Sequence, residues 1–90
     1  MVAFINRVIS VNGKKTTMRL TDVEWMILDN ICYKEKMKRK TLLEAICAIK
    51  NTELGLTPSV RLFALLYLYM LSNKNLASSG NLSKILRILH

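Results

Sequence analysis

Lys15, Thr17 and Arg19 stand at alternate positions of one short segment, with Thr16, Met18 and Leu20 interleaved. In an extended strand successive side chains point to opposite faces, so the first three share one face and the other three share the opposite one. A lysine, a threonine and an arginine on one strand face suit the edges of bases. Arginine can grip guanine through two hydrogen bonds, and threonine can donate, accept or touch a thymine methyl. The same alternation also describes a merely solvated sheet face, so the neighbouring charges have to decide. Lys38, Arg39 and Lys40 surround the start of a helical pattern. The first amides of a helix lack intrahelical partners and carry the positive end of its dipole, which suits a phosphate. Basic side chains equally suit the end of a preceding helix, so this cluster too has a plain reading as a solvated helix end.

Other chemistries find little support. The only histidine is His90, and the sequence shows no Ser-His-acid set, metal-ligand cluster, phosphate-cradling glycine loop or convergent carboxylate pair. An enzyme is not expected, and neither is a cofactor or metal. Cys32 and Cys47 lie far apart in apolar surroundings and read as a buried, reduced pair.

The net charge of +8 over 90 residues implies an anionic partner, with nucleic acid ahead of an acidic membrane. Residues 1–20 carry Arg7, Lys14, Lys15 and Arg19 without a single acid. A second cluster runs Lys34-Glu35-Lys36-Met37-Lys38-Arg39-Lys40, and Asp22, Glu24 and Asp29 lie between the two. Apolar residues make up 51% of the chain, more than so short a core requires, which points to a subunit interface or a membrane. The longest apolar run, Leu62 to Leu71, falls well short of the roughly 20 residues needed to span a bilayer. The first residues do not read as a secretory signal, so a cytoplasmic protein without a membrane partner is expected.

The elements that must position these residues follow from periodicity and turn chemistry. Phe4 to Val11 alternates, with Ile5, Ile9 and Val11 on one face, Arg7 interrupting it, and Asn6, Val8 and Ser10 opposite. Asn12-Gly13 is a strong hairpin signal, because both residues tolerate positive φ. A two-residue turn there sets Val11 against Lys14, Ile9 against Thr16 and Ile5 against Leu20, which brings the apolar faces together. Thr21-Asp22-Val23-Glu24 is a capping box that starts a helix ending near Lys34 or Lys36, with Trp25, Leu28, Ile31 and Cys32 inward. A second helix is expected from about Arg39 to Ile49, with Leu42, Leu43, Ile46 and Ile49 inward. After a loop at Asn51 to Leu56, Thr57 caps a third helix to about Leu71, with Pro58 at its first position. That helix is apolar almost all round and needs cover on more than one side. Ser72 to Gly80 reads as a linker and Leu82 to Leu89 as a short amphipathic end helix, whose expected role is to cover the third helix.

Strand, helix, basic turn and helix together make the pattern of a ribbon-helix-helix unit, in which two subunits pair their strands and four helices close beneath them. The stretch Arg7-Val8-Ile9-Ser10-Val11-Asn12-Gly13-Lys14-Lys15-Thr16-Thr17-Met18-Arg19-Leu20, followed by Trp25 and Leu28, resembles a subfamily of bacterial ribbon-helix-helix domains. Gly55-Leu56-Thr57-Pro58-Ser59-Val60-Arg61-Leu62-Phe63-Ala64 is similar to that subfamily's closing helix. Together these cover most of residues 7–70. Two residues depart from the pattern: Lys36 stands at the usual glycine of the interhelical turn, and Lys38 where a serine or threonine usually caps the second helix.

The resemblance implies a homodimer and transcriptional regulation through double-stranded DNA, with Lys15, Thr17 and Arg19 at the base-contacting positions. Lys38, Arg39 and Lys40 would meet phosphates. The expected fold is mainly α with a short β-ribbon: a ribbon-helix-helix homodimer with an N-terminal hairpin strand and extra C-terminal helices. Residues 1–71 would form the domain and residues 72–90 the linker and end helix. Met18, Leu20, Trp25, Leu28, Leu42 and Ile46 are the expected dimer core. A protein partner on the apolar C-terminal region is a further expectation. The competing function is a dimerisation or adaptor module of the same fold that does not bind DNA.

Overall fold

A computed structural model describes residues 2–49 and 53–72 of the chain. Its elements are β1 (Phe4–Val11), β2 (Lys14–Thr21), α1 (Asp22–Glu35), α2 (Arg39–Ile49) and α3 (Leu56–Ser72). The two strands form an antiparallel ribbon, and the three helices pack against one of its faces. The expected order of strands and helices is observed, and the expected register with it: Val11 opposes Lys14, Ile9 opposes Thr16 and Ile5 opposes Leu20. Asn12 and Gly13 both take positive φ, 53° and 78°, which is the geometry a two-residue hairpin turn requires. The turn is also fastened from below, where the Asn12 amide donates to Glu44 Oε2 on α2 at 3.0 Å.

The capping box at the head of α1 is complete. The Glu24 amide donates to Thr21 Oγ1 at 3.1 Å, and the Thr21 amide donates to Glu24 Oε1 at 2.7 Å. At the other end Lys36 adopts the left-handed conformation, φ 56°. Its amide donates to the Tyr33 carbonyl and the Met37 amide to the Cys32 carbonyl, the double closure that usually falls to glycine. The lysine at the family's glycine position therefore leaves the backbone form of the turn intact, at the steric cost of a side chain in left-handed backbone.

Met18, Leu20, Trp25, Leu28, Leu42 and Ile46 are each at most 1% exposed within a single chain. The residues anticipated for a dimer core are thus already buried within the single chain, together with Val60, Phe63 and Tyr67 of α3. The cover comes from α3 itself: it packs beneath β2 and against α1 and α2, filling space that the ribbon and two helices alone leave open. Tyr67 pins it there, its hydroxyl donating to Glu35 Oε2 at 2.5 Å. Burial, then the hydrogen bond and charge of Glu35, push the Tyr67 hydroxyl well above the usual tyrosine range.

Helix α3 begins at Leu56, two residues earlier than a Thr57 cap with Pro58 at the first helical position suggests, so Pro58 occupies its third position. The Gly55 carbonyl accepts from both the Ser59 amide and the Ser59 hydroxyl, which fixes this first turn. Proline is tolerated there because the first amides of a helix have no intrahelical acceptor. Glu53 to Gly55 lie outside any helix, as the loop reading has it, and Ser72 is helical rather than the first residue of a linker. The remaining linker residues and the Leu82–Leu89 helix lie outside the described residues. Cys32 is buried and Cys47 half-buried, and neither is in a disulfide. Burial, with the nearby Asp29 charge, pushes the Cys32 thiol up and Arg39 opposes them, so it is a poor nucleophile.

Candidate nucleic-acid interface

The outer face of the ribbon, turned away from the helices, carries Phe4, Asn6, Val8 and Ser10 from β1. These lie directly across from Thr21, Arg19, Thr17 and Lys15 of β2. Lys15, Thr17 and Arg19 are all exposed; on the opposite face Met18 and Leu20 are buried, while Thr16, near the hairpin end, is exposed rather than inward. Alternation therefore places the three side chains together on one solvent-facing surface. No acidic residue occurs between Phe4 and Thr21, so nothing on either strand offsets their charge. Arg19 is not free-standing: its guanidinium carbon lies 4.6 Å from the centre of the Phe4 ring, diagonally across the ribbon. A cation over an aromatic face is held by the ring's quadrupole, and this fixes the direction in which Arg19 leans. Phe4 and Val8 are more than half exposed, unusual for large apolar side chains on a sheet with its core on the other side.

β2 has a second property that its side chains do not reveal. Pairs in an antiparallel ladder alternate between those that exchange backbone hydrogen bonds and those that do not. The Asp22 amide donates to the Ala3 carbonyl at 2.8 Å, so one residue inward the Thr21–Phe4 pair is non-bonded, and alternation continues along the register. The backbone groups of Lys15, Thr17, Arg19 and Thr21 thus point away from β1. The Thr21 amide is already taken by Glu24. Those of Lys15, Thr17 and Arg19 line an edge that no described strand pairs. A row of unpaired strand amides is a template for another strand.

Below that edge lies an apolar groove between α1 and α3, lined by Leu20, Ile27, Val60, Ala64, Leu65 and Leu68. Glu24 and Arg61 stand at its side, with Arg61 Nε 2.8 Å from Glu24 Oε2. Burial alone would raise the Glu24 carboxyl. The Thr21 amide, the Arg61 guanidinium and the Thr21 hydroxyl together outweigh it and hold this acid below the usual carboxylate range.

The basic turn divides into two kinds of residue. Lys38 and Lys40 are exposed at the head of α2. Arg39 is engaged: its Nη2 lies 2.5 Å from Asp29 Oδ1, and its guanidinium carbon 5.1 Å from the Trp25 ring centre. Arg7 approaches the same indole at 4.9 Å. The Trp25 Nε1 donates to the Ile5 carbonyl at 2.9 Å, so the indole is anchored in the core and serves as a packing platform for both arginines. Arg7, which breaks the apolar face of β1 in the sequence, is half-buried for this reason. Its place on the otherwise apolar face of β1 was the available signal that it packs inward, though not that its partner is Trp25. Beside Arg39 and Lys40 a cleft of about 200 Å³ opens between α2 and β1, lined also by Val8, Ile9, Ser10 and Leu43. Alternation alone assigned Ser10 to the outer strand face and gave no hint that it borders the basic turn.

Among the described residues no cluster of side chains could hold a metal ion, and no helix is long and apolar enough to cross a membrane. The family model of the ribbon-helix-helix domain matches residues 4–68, the ribbon and nearly all of the three helices. The chain belongs to the ribbon-helix-helix domain family. Such domains generally bind DNA as transcription regulators, dimerise, and are not typically enzymes. No curated protein and no solved structure matches the chain significantly.

Proposed function

We propose that this ribbon-helix-helix domain is a homodimeric transcription regulator that reads double-stranded DNA through the outer face of β2. One observation carries the reading: Lys15, Thr17 and Arg19 present their side chains together on an exposed face, and their backbone groups line the unpaired strand edge. A second copy pairing along that edge joins two such triplets into one continuous basic surface about a two-fold axis. The apolar groove beneath the edge supports the same assembly, because pairing of the edges brings two such grooves to one side of each other. Lys38 and Lys40, with the free amides at the start of α2, are the phosphate contacts. Arg39 contributes its charge there while its guanidinium is held by Asp29 and Trp25. Leu62 and Tyr69 on the outside of α3 remain exposed and are the surface for any further protein partner.

The test is selection of duplexes from a random pool, followed by binding measurements across salt concentrations. A selected duplex should bind tightly at low salt, with affinity falling steeply as salt rises. Lys15→Ala combined with Arg19→Ala should abolish preference for the selected duplex. A chain that dimerises but selects no sequence would be an adaptor of the same fold, and the DNA-reading proposal would fall.

A further inference from the structure

We propose that β1 is a second DNA-contact strand, indifferent to sequence, whose Asn6 and Ser10 meet the sugar–phosphate walls of the groove that β2 enters. The inference rests on the DNA-binding reading above and adds a role for a strand that a simple two-stranded ribbon lacks. Pairing of two β2 edges makes a sheet of four strands in the order β1, β2, β2 of the partner, β1 of the partner. Neighbouring strands lie about 4.8 Å apart, so each β2 runs about 2.4 Å from the two-fold axis and each β1 about 7 Å from it. A major groove about 12 Å wide has a half-width of about 6 Å. The central strands therefore stand over base edges, and the outer strands stand over the walls.

The composition of β1 fits that position. Its outer face offers an amide at Asn6 and a hydroxyl at Ser10, groups that donate to phosphate oxygens without reading sequence. It carries no acid that would repel a phosphate. Ser10 also borders the cleft shared with Arg39 and Lys40, so the strand continues into the basic turn along one flank of the molecule. Arg19 marks the boundary: held over Phe4 of β1, its guanidinium leans from the central strand toward the outer one. Phe4 is thereby a positioning residue for Arg19.

Asn6→Lys in the full chain tests this by adding a charge where a phosphate should be. Binding is followed by fluorescence anisotropy on a selected duplex and on an unrelated duplex of equal length, from 50 to 200 mM KCl. Two new phosphate contacts per dimer should steepen the salt dependence by about 1.8 in the log–log slope, and should tighten binding to both duplexes alike. Tyr69→Lys, which adds the same charge on the outside of α3, should change the slope much less. Asn6→Ala with Ser10→Ala should weaken both duplexes by the same factor, leaving their ratio unchanged. Equal slopes for Asn6→Lys and wild type, or equal gains from Asn6→Lys and Tyr69→Lys, would overturn the assignment of β1 to the walls. A changed ratio in the alanine pair would overturn its indifference to sequence. If the wild type binds neither duplex, the DNA-binding reading itself fails and this inference falls with it.

Discussion

Glu24→Ala removes two connections made by one carboxylate at the junction of β2, α1 and α3. Its Oε1 accepts from the Thr21 amide at 2.7 Å, closing the capping box, and its Oε2 accepts from Arg61 Nε at 2.8 Å. Loss of a capping interaction costs about 1 kcal/mol. The Arg61 pair is partly exposed, at 41% and 29% for the two side chains, so screening limits it to about 0.5 kcal/mol. The sum, about 1.5 kcal/mol, corresponds to a fall in Tm of roughly 6–12 °C for a domain of this size. Glu24→Gln keeps a carbonyl acceptor for Thr21 and should lose only about a third to a half of that sum. The pH dependence has a definite sign. The carboxyl is held below its ordinary value of 4.5, so its contribution is present above that pH and is lost as the pH falls through the lowered folded-state value. The advantage of wild type over Glu24→Gln should therefore be full at pH 7 and shrink below pH 4.5. Thermal melts at fixed protein concentration, from pH 3 to 7, provide the assay, because any self-association makes Tm depend on concentration. A Tm within 2 °C of wild type for Glu24→Ala, or a pH-independent gap for Glu24→Gln, would refute the reasoning.

Three further substitutions probe the frame around the ribbon. Gly13→Ala forces a Cβ into backbone at φ 78° and should destabilise by about 1–2 kcal/mol, read by urea denaturation. Lys36→Gly relieves left-handed strain at φ 56°, less the entropy glycine adds to the unfolded chain, and should stabilise by about 0.5 kcal/mol in the same assay. Tyr67→Phe deletes the hydroxyl that donates to Glu35 and should cost about 1–2 kcal/mol at neutral pH. Because that hydroxyl is raised in the fold, its contribution is full below the ordinary value of 10.0 and declines as pH rises beyond it, so wild type and variant should converge in alkaline melts.

The hairpin and the head of α1 were legible in the sequence because each depends on residues close together. Asn12-Gly13 fixed the turn, the turn fixed the register, and Thr21 with Glu24 fixed the start of the helix. The outer face of β2 followed from alternation alone. What could not be read were contacts between elements distant in sequence. Asp29 captures Arg39, and Arg7 meets Trp25, only after α1 has packed under the ribbon. These contacts turn two cations of the basic pattern into parts of the core margin. The six residues assigned to a shared core were correctly read as buried. Periodicity shows that a face is covered but not what covers it, and in the single chain α3 packs against α1, α2 and β2, which carry these residues. Pro58 misled by two positions because any of the first helical residues can dispense with an amide.

The most direct test of the account is an amide NMR titration of the labelled protein with a selected duplex. Signals of Lys15, Thr17 and Arg19 in β2 should shift or broaden at the lowest DNA additions, together with Lys38 and Lys40, while those on the outside of α3 around Leu62 and Tyr69 stay in place. Shifts concentrated on α3, with the β2 signals unmoved, would contradict the claim that this strand reads DNA.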